Sequence, residues 1–133
     1  CGNAHDIAPD YPKTLDIEKI SQIHKAMPDM PLVLHATSIF PKEFVERANI
    51  FGACMKQPLN FGKEELQSTF PYGVCKINSA LDVKILYTTA IREYMLRHPQ
   101  DIDPRKYLGY AKKEVVRYVS HKHCEIFKDN NRV

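Results

Sequence analysis

The sequence predicts an α/β fold in which parallel strands alternate with helices. Two short apolar runs carry that prediction, Pro31-Leu32-Val33-Leu34-His35 and Gly73-Val74-Cys75-Lys76-Ile77-Asn78, each entered from a loop breaker and each ending on a residue able to bind a ligand. Runs so short and so apolar suit strands buried on both faces, as parallel strands are. The third observation is that the segments around them place apolar residues at helical spacing, and strands alternating with helices make a parallel sheet.

The elements follow in order. Ile17, Ile20, Ile23 and Met27 recur near helical spacing behind Asp16 as cap, and Pro28 ends the run, which predicts a helix over about 16–27. The first strand comes next. A second helix begins near Pro41, with Phe44, Val45 and Ala48 on one side and Ser38 available upstream, and stops by Gly52. Pro58, Asn60 and Gly62 mark a loop longer than simple alternation needs. A weaker helix covers Lys63 to Phe70, and the second strand follows it. A long helix then runs from about Leu81 to His98, striped by Val83, Leu86, Ala90 and Tyr94 and closed by Pro99. The last helix follows Pro104; its stripe is Leu108, Ala111, Val115, Val119 and Ile126, with Lys112, Lys113, Arg117 and Lys122 on the wet side. There is no internal repeat, low-complexity tract or interdomain linker, so residues 1–133 read as a single domain.

Composition narrows the function classes. At 133 residues and 44% apolar content the chain is too rich for disorder, and one compact domain is the ceiling. The 19 Lys and Arg against 16 Asp and Glu leave +3, far from the excess of a dedicated nucleic-acid binder. No stretch approaches the roughly 18 apolar residues of a membrane span, and no secretory signal is recognisable. Cys1, Cys54, Cys75 and Cys124 form no Cys-x-x-Cys pair, and no Asn-x-Ser/Thr sequon occurs. Both absences favour an intracellular, reducing compartment, and Cys75 sits in a run read as a buried strand, so all four are taken as thiols. The chain starts at Cys1 and not at Met, which leads us to expect residues upstream.

In parallel sheets, ligand-facing residues gather at the carboxyl ends of the strands. His35 and Asn78 both end strands. Cys1-Gly2-Asn3-Ala4-His5 has the character of a third strand's last turn, so three strand ends would carry His5, His35 and Asn78.

These segments together resemble the C-terminal half of the class II, zinc-dependent fructose-bisphosphate and tagatose-bisphosphate aldolases. Gly2 to His5 resembles that family's G-T/N-A-H segment, Pro31 to His35 its P-L-V-L-H strand, and Gly73 to Asn78 its G-V-C-K-I-N strand. Thr89-Ala90-Ile91-Arg92-Glu93-Tyr94 and Asp103-Pro104-Arg105-Lys106-Tyr107-Leu108-Gly109 resemble its last barrel helix and tail, and the segment around 52–66 matches an insertion some members carry. The resemblance covers nearly the whole chain. It implies a (β/α)8 barrel of about 250 residues with its site at the carboxyl face. This chain would hold only the tip of strand 6, strands 7 and 8, and the C-terminal helices: a partial TIM barrel. A fragment with open strand edges needs a partner surface, whether another chain or the missing N-terminal half, and so belongs in an oligomer or larger complex.

By the resemblance, His5 and His35 match two of three histidines that hold the catalytic zinc, whose open coordination position polarises the substrate ketone. The third ligand and the aspartate proton donor belong upstream. Against this stands the plainer reading of both histidines as polar residues hydrogen-bonded at a sheet edge. The phosphate site departs further from the family. Where it places G-G-S-G, so that backbone N–H groups can approach a phosphate, this chain has Ala36, Thr37, Ser38 and Ile39. The family's N-x-D/N-T/S-D run is here Asn78, Ser79, Ala80, Leu81 and Asp82. Asp6 replaces the glycine after the first of these histidines, and a carboxylate at contact with phosphate is repulsive by about 1 kcal/mol even in bulk water. The candidate substrate-binding residues are therefore Ser38, Asn78, Asp82 and Arg105. Arg105 is read first as a surface ion pair with its acidic neighbour and second as an anion clamp. The His121-Lys122-His123-Cys124 cluster is assigned no site, because its histidines fall on different sides of a helix.

Ligand positions have changed while strand and helix residues keep the family's character. The leading expectation is thus a non-catalytic, aldolase-derived structural or interaction subunit. The alternative is one half of a zinc-dependent aldolase completed by an N-terminal half. A third reading makes the basic, aromatic run from Arg105 to Lys122 an RNA-contacting module, although a solvated helix face explains it as well.

Overall fold

Asp16 starts the first helix: its Oδ1 accepts from the Lys19 N–H at 2.8 Å, satisfying one of the unpaired donors of the first turn. The computed structural model describes residues 14–35, 38–56 and 61–129. They belong to two units, Cys1–Phe40 with Pro58–Ala80 and Pro41–Gln57 with Leu81–Val133.

The first unit carries the sheet. Helix α1 (Ile17–Ala26) buries Ile20, while Met27, expected on its stripe, is exposed. Strands β1 (Leu32–Leu34) and β2 (Val74–Ile77) pair in parallel, with Leu34 opposite Ile77. Hydrogen bonds of 2.8 Å from Leu32 N–H to Gly73 C=O and from Asn78 N–H to Leu34 C=O continue the pairing beyond both ends. The expectation of strands buried on both faces is corrected: Leu34 and Val74 are buried, but Val33, Cys75 and Lys76 are exposed. Successive side chains point to opposite faces, so a sheet covered on one side only leaves alternate residues in solvent.

Helix α3 (Lys63–Gln67) is shorter than the predicted Lys63 to Phe70. The Ser68 and Thr69 hydroxyls bond back to the Glu65 and Leu66 carbonyls at 2.7 Å, and the chain passes into a 3₁₀ turn, Phe70–Tyr72. Glu65 accepts from the N–H groups of both Gly62 (3.2 Å) and Leu15, joining the start of α3 to the segment before α1. Gly73, at φ +77°, turns the chain into β2; a Cβ there would lie 3.0 Å from His24 Nδ1. Pro58 and Asn60, read as loop residues, lie outside the described residues.

The second unit is helical. Helix α2 (Glu43–Ile50) has no side-chain cap, and Ser38, the upstream candidate, does not supply one. Gly52, at φ +79°, ends it. Helix α4 (Leu81–Arg97) packs on α2 and on α5 (Pro104–His121), which Asp103 caps and Pro104 opens. A π-helix, Lys122–Phe127, continues α5.

Both predicted stripes are displaced. The buried face of α4 is Asp82, Ile85, Leu86, Thr89, Ala90 and Glu93, sharing only Leu86 and Ala90 with the predicted stripe. On α5 and its continuation the buried residues are Ala111, Tyr118, Lys122 and Ile126; Leu108 is exposed and Lys122, placed on the wet side, is inside. Pairing among charges causes the shift, because a buried charge is tolerated when an opposite one meets it. Arg47 of α2 bonds Glu93 through Nε (2.9 Å) and Nη2, and Glu114 through Nη1 (3.2 Å); Arg97 reaches Glu93 at 2.8 Å.

Among the described residues no helix is long and apolar enough to cross a membrane. Cys54, Cys75 and Cys124 are free thiols, all exposed, which corrects the buried placement of Cys75. Cys1 lies outside the described residues.

Candidate functional site

The sheet unit brings His35 and Asn78 to the same end. The hydrogen bond from Asn78 N–H to Leu34 C=O closes the ladder at the carboxyl ends of both strands, and His35 follows Leu34 directly. His35 is exposed and Asn78 half-buried, so both strand ends present polar side chains on neighbouring strands. That is where a parallel sheet places its ligands.

Past His35 the chain turns inward. Ser38, Ile39 and Phe40 are all buried, Ser38 at 2% exposure, and the Ser38 carbonyl accepts from Phe61 N–H at 3.4 Å. A β-branched Ile39 is thus packed as core in the stretch where the family motif has its last glycine. Ala36 and Thr37 lie outside the described residues, as do His5 and Asp6.

Asp82 and Arg105 belong to the helical unit. Asp82 is completely buried in the first turn of α4, where its Oδ2 accepts from Lys122 Nζ at 2.6 Å and from the Tyr118 hydroxyl at 2.9 Å. The Lys122 ammonium also lies 5.5 Å from the ring centroids of Tyr118 and Phe127, a cation–π arrangement. Burial first, and then the Asp82 charge, push the Tyr118 hydroxyl well above the usual phenol range. Arg105 is 89% exposed and forks onto Asp103, with Nη2 to Oδ2 at 2.6 Å and Nε to both oxygens at 3.0 Å. This is the surface pair that the neighbouring acid suggested. Its hydrogen bonds hold the Asp103 carboxyl below the usual range.

Sequence reasoning missed Lys122 and Tyr118 as partners of Asp82. Their four-residue spacing puts them on one helix face, but nothing local marks that face as buried. Arg47, Glu93 and Glu114 were missed for the same reason.

The whole chain can be compared with known proteins. The model of the class-II fructose-bisphosphate aldolase family matches residues 1–132. The chain belongs to the class II aldolase family. It is similar to the fructose-bisphosphate aldolase of Treponema pallidum, 31% identical over 91% of this chain and 36% of that protein, and to that of Thermus caldophilus, 34% identical over 85% and 36%. The Stutzerimonas stutzeri fructose-bisphosphate aldolase is 36% identical over 72% of this chain and 27% of its own length. The chain therefore spans about a third of the aldolases it matches.

Class II aldolases as a family imply zinc. Among the described residues no group of three His, Cys, Asp or Glu is placed to hold a metal ion. His35 is exposed at its strand end and stands without two further ligands around it, so the described residues do not form a zinc centre by themselves.

Proposed function

We propose that this chain is the C-terminal segment of a class II ketose-bisphosphate aldolase, and that together with the rest of the barrel it takes part in reversible retro-aldol cleavage. One observation carries the reading: the parallel pair β1–β2 ends in His35 and Asn78, within a chain matched along its length by the aldolase model. In this reading Asn78 offers amide hydrogen bonds to the substrate at the sheet's carboxyl end, and His35 is the aldolase ligand position on the neighbouring strand. The open strand edges and exposed Val33 support a covering partner, supplied by the remainder of the same polypeptide or by another chain.

A second reading has its own support. Ile39 is packed where the phosphate cradle needs glycine, and Asp82 is held by Lys122 and Tyr118. Both favour a barrel segment kept for assembly without catalysis.

The test is made on the full-length protein with its native partners. Cleavage of fructose and tagatose bisphosphates is followed by a coupled assay, and bound zinc is measured by elemental analysis. The aldolase reading expects turnover and stoichiometric zinc, both lost on His35→Ala. Intact assemblies without turnover, unchanged by His35→Ala, would establish the structural reading instead.

A further inference from the structure

Helix α4 carries two carboxylates, Asp82 and Glu93, and both are buried and paired. Its outer face is therefore free of negative charge. Lys84, Thr88, Arg92, Met95 and Leu96 follow at steps of three and four residues and are all exposed, which puts them along one side of the helix. Lys84 has no ion-pair partner among the described residues. Arg92 donates to two backbone carbonyls, of Gly52 at 2.7 Å and Phe51 at 3.4 Å, and meets no carboxylate there.

Beside the first turns of this face lies an apolar depression of about 180 Å³, lined by Ala48, Met55, Leu81, Lys84, Ile85 and Thr88 among others. Its loop wall is pinned. The Asn49 side chain bonds both the N–H (2.6 Å) and the C=O (3.0 Å) of Met55, and Arg92 holds Gly52. A site preformed in this way loses little conformational freedom when it is filled.

The occupant can be narrowed. The volume falls below the roughly 300 Å³ at which metabolite pockets begin, and suits one large apolar side chain. A second copy of this chain is disfavoured, since two-fold pairing of the face would set Lys84 and Arg92 against their own like charges. A nucleic acid is disfavoured too, because the face offers two cations and no exposed aromatic ring on which a base could stack.

We propose that the outer face of α4 docks an acidic amphipathic helix of another polypeptide, with one apolar side chain in the depression, a second on Met95 and Leu96, and carboxylates over Lys84 and Arg92. Met95 lies eleven residues beyond Lys84, or about 16 Å along the helix. Residues eleven apart on the incoming helix return to one side of it, as helix-in-groove recognition requires. The proposal does not depend on whether the assembly is catalytic.

The test uses the full-length protein and a fluorescein-labelled synthetic helix with two leucines eleven residues apart and glutamates on their flanks, followed by anisotropy. Saturable micromolar binding is expected, weakened about tenfold or more by Lys84→Glu and by Thr88→Trp, and unchanged by Lys113→Glu on α5. The variants change exposed positions, and circular dichroism with a thermal melt checks their folding. A peptide with lysines in place of the glutamates needs no variant and should not bind. Absence of saturation at about 100 µM, equal binding of the lysine peptide, indifference to both α4 variants, or tight RNA binding with which the acidic peptide does not compete would each overturn the proposal.

Discussion

In the helical unit, Asp82 and Glu93 sit at 0% and 5% exposure, and cations from other elements have been brought to them: Lys122 from the π-helix, Arg47 from α2. The sheet unit contains no comparable pair among the described residues. Its two strands bury Leu34 and Val74 on one face and leave Val33, Cys75 and Lys76 in solvent on the other. The difference teaches where each unit's order originates. Helices satisfy their own backbones and meet through side chains, so polar pairs can specify how they fit. A strand needs neighbours for its backbone, and two strands leave two edges unpaired. The helical unit is closed on itself, and the sheet unit is built to be completed.

The sharpest way to break that contrast is to unpair Asp82. Lys122→Ala strands a buried carboxylate and should cost about 3–5 kcal/mol, whereas the double change Asp82→Asn with Lys122→Met removes both charges and should recover much of the loss. Denaturant unfolding of the full-length protein, read by near-ultraviolet dichroism, makes the comparison. A loss below about 1 kcal/mol for Lys122→Ala would show that the pair does not organise the unit.

In the sheet unit the same question is put to apolar contacts. Leu34→Ala should cost about 2–3 kcal/mol, at the low end for a core leucine because the sheet is covered on one side. Val33→Thr on the open face should fall within about 0.5 kcal/mol in the isolated chain. If a partner covers that face, the same substitution should instead weaken assembly, measured by sedimentation of the complex.

Gly73→Ala probes the turn into β2, with an expected cost of about 1–2 kcal/mol, since φ is positive and the added Cβ approaches His24. A neutral result would mean that the 70–73 turn relaxes freely.

Much of this was legible in the sequence. Asp16, Pro28, Gly52, Pro99 and Pro104 punctuate the chain through their own backbone chemistry, so the helix limits could be read locally. His35 and Asn78 could be placed together because they end the two apolar runs. The burial of Lys122 could not be read, because it depends on Asp82 forty residues away in sequence. Periodicity put Lys122 outside on its own chemistry, and only the long-range pair reverses that. The α4 stripe failed for the same reason: Asp82 and Glu93 look like wet-side residues until their cations are seen.

The smallest effects should come from the exposed pairs at the start of α5. Arg105 and Asp103 are joined at 2.6 Å and Lys106 and Asp101 at 2.5 Å, but the basic partners lie largely in water, where such pairs add little. Both carboxyls titrate below their usual range, Asp101 through hydrogen bonds from Lys106 and then Tyr94, Asp103 through those from Arg105. The sign follows from linkage. A carboxyl whose folded pKa is depressed stabilises the fold above its unfolded pKa of about 3.9, and that contribution is lost as pH falls through the folded value. Arg105→Ala should therefore leave the melting temperature at pH 7 within the scatter of repeated scans, and Asp101→Asn should flatten the acid limb below about pH 4 without moving the neutral plateau. A large loss at neutral pH from Arg105→Ala would mean that its guanidinium has a partner beyond Asp103, and would move Arg105 from the surface pair to the anion clamp.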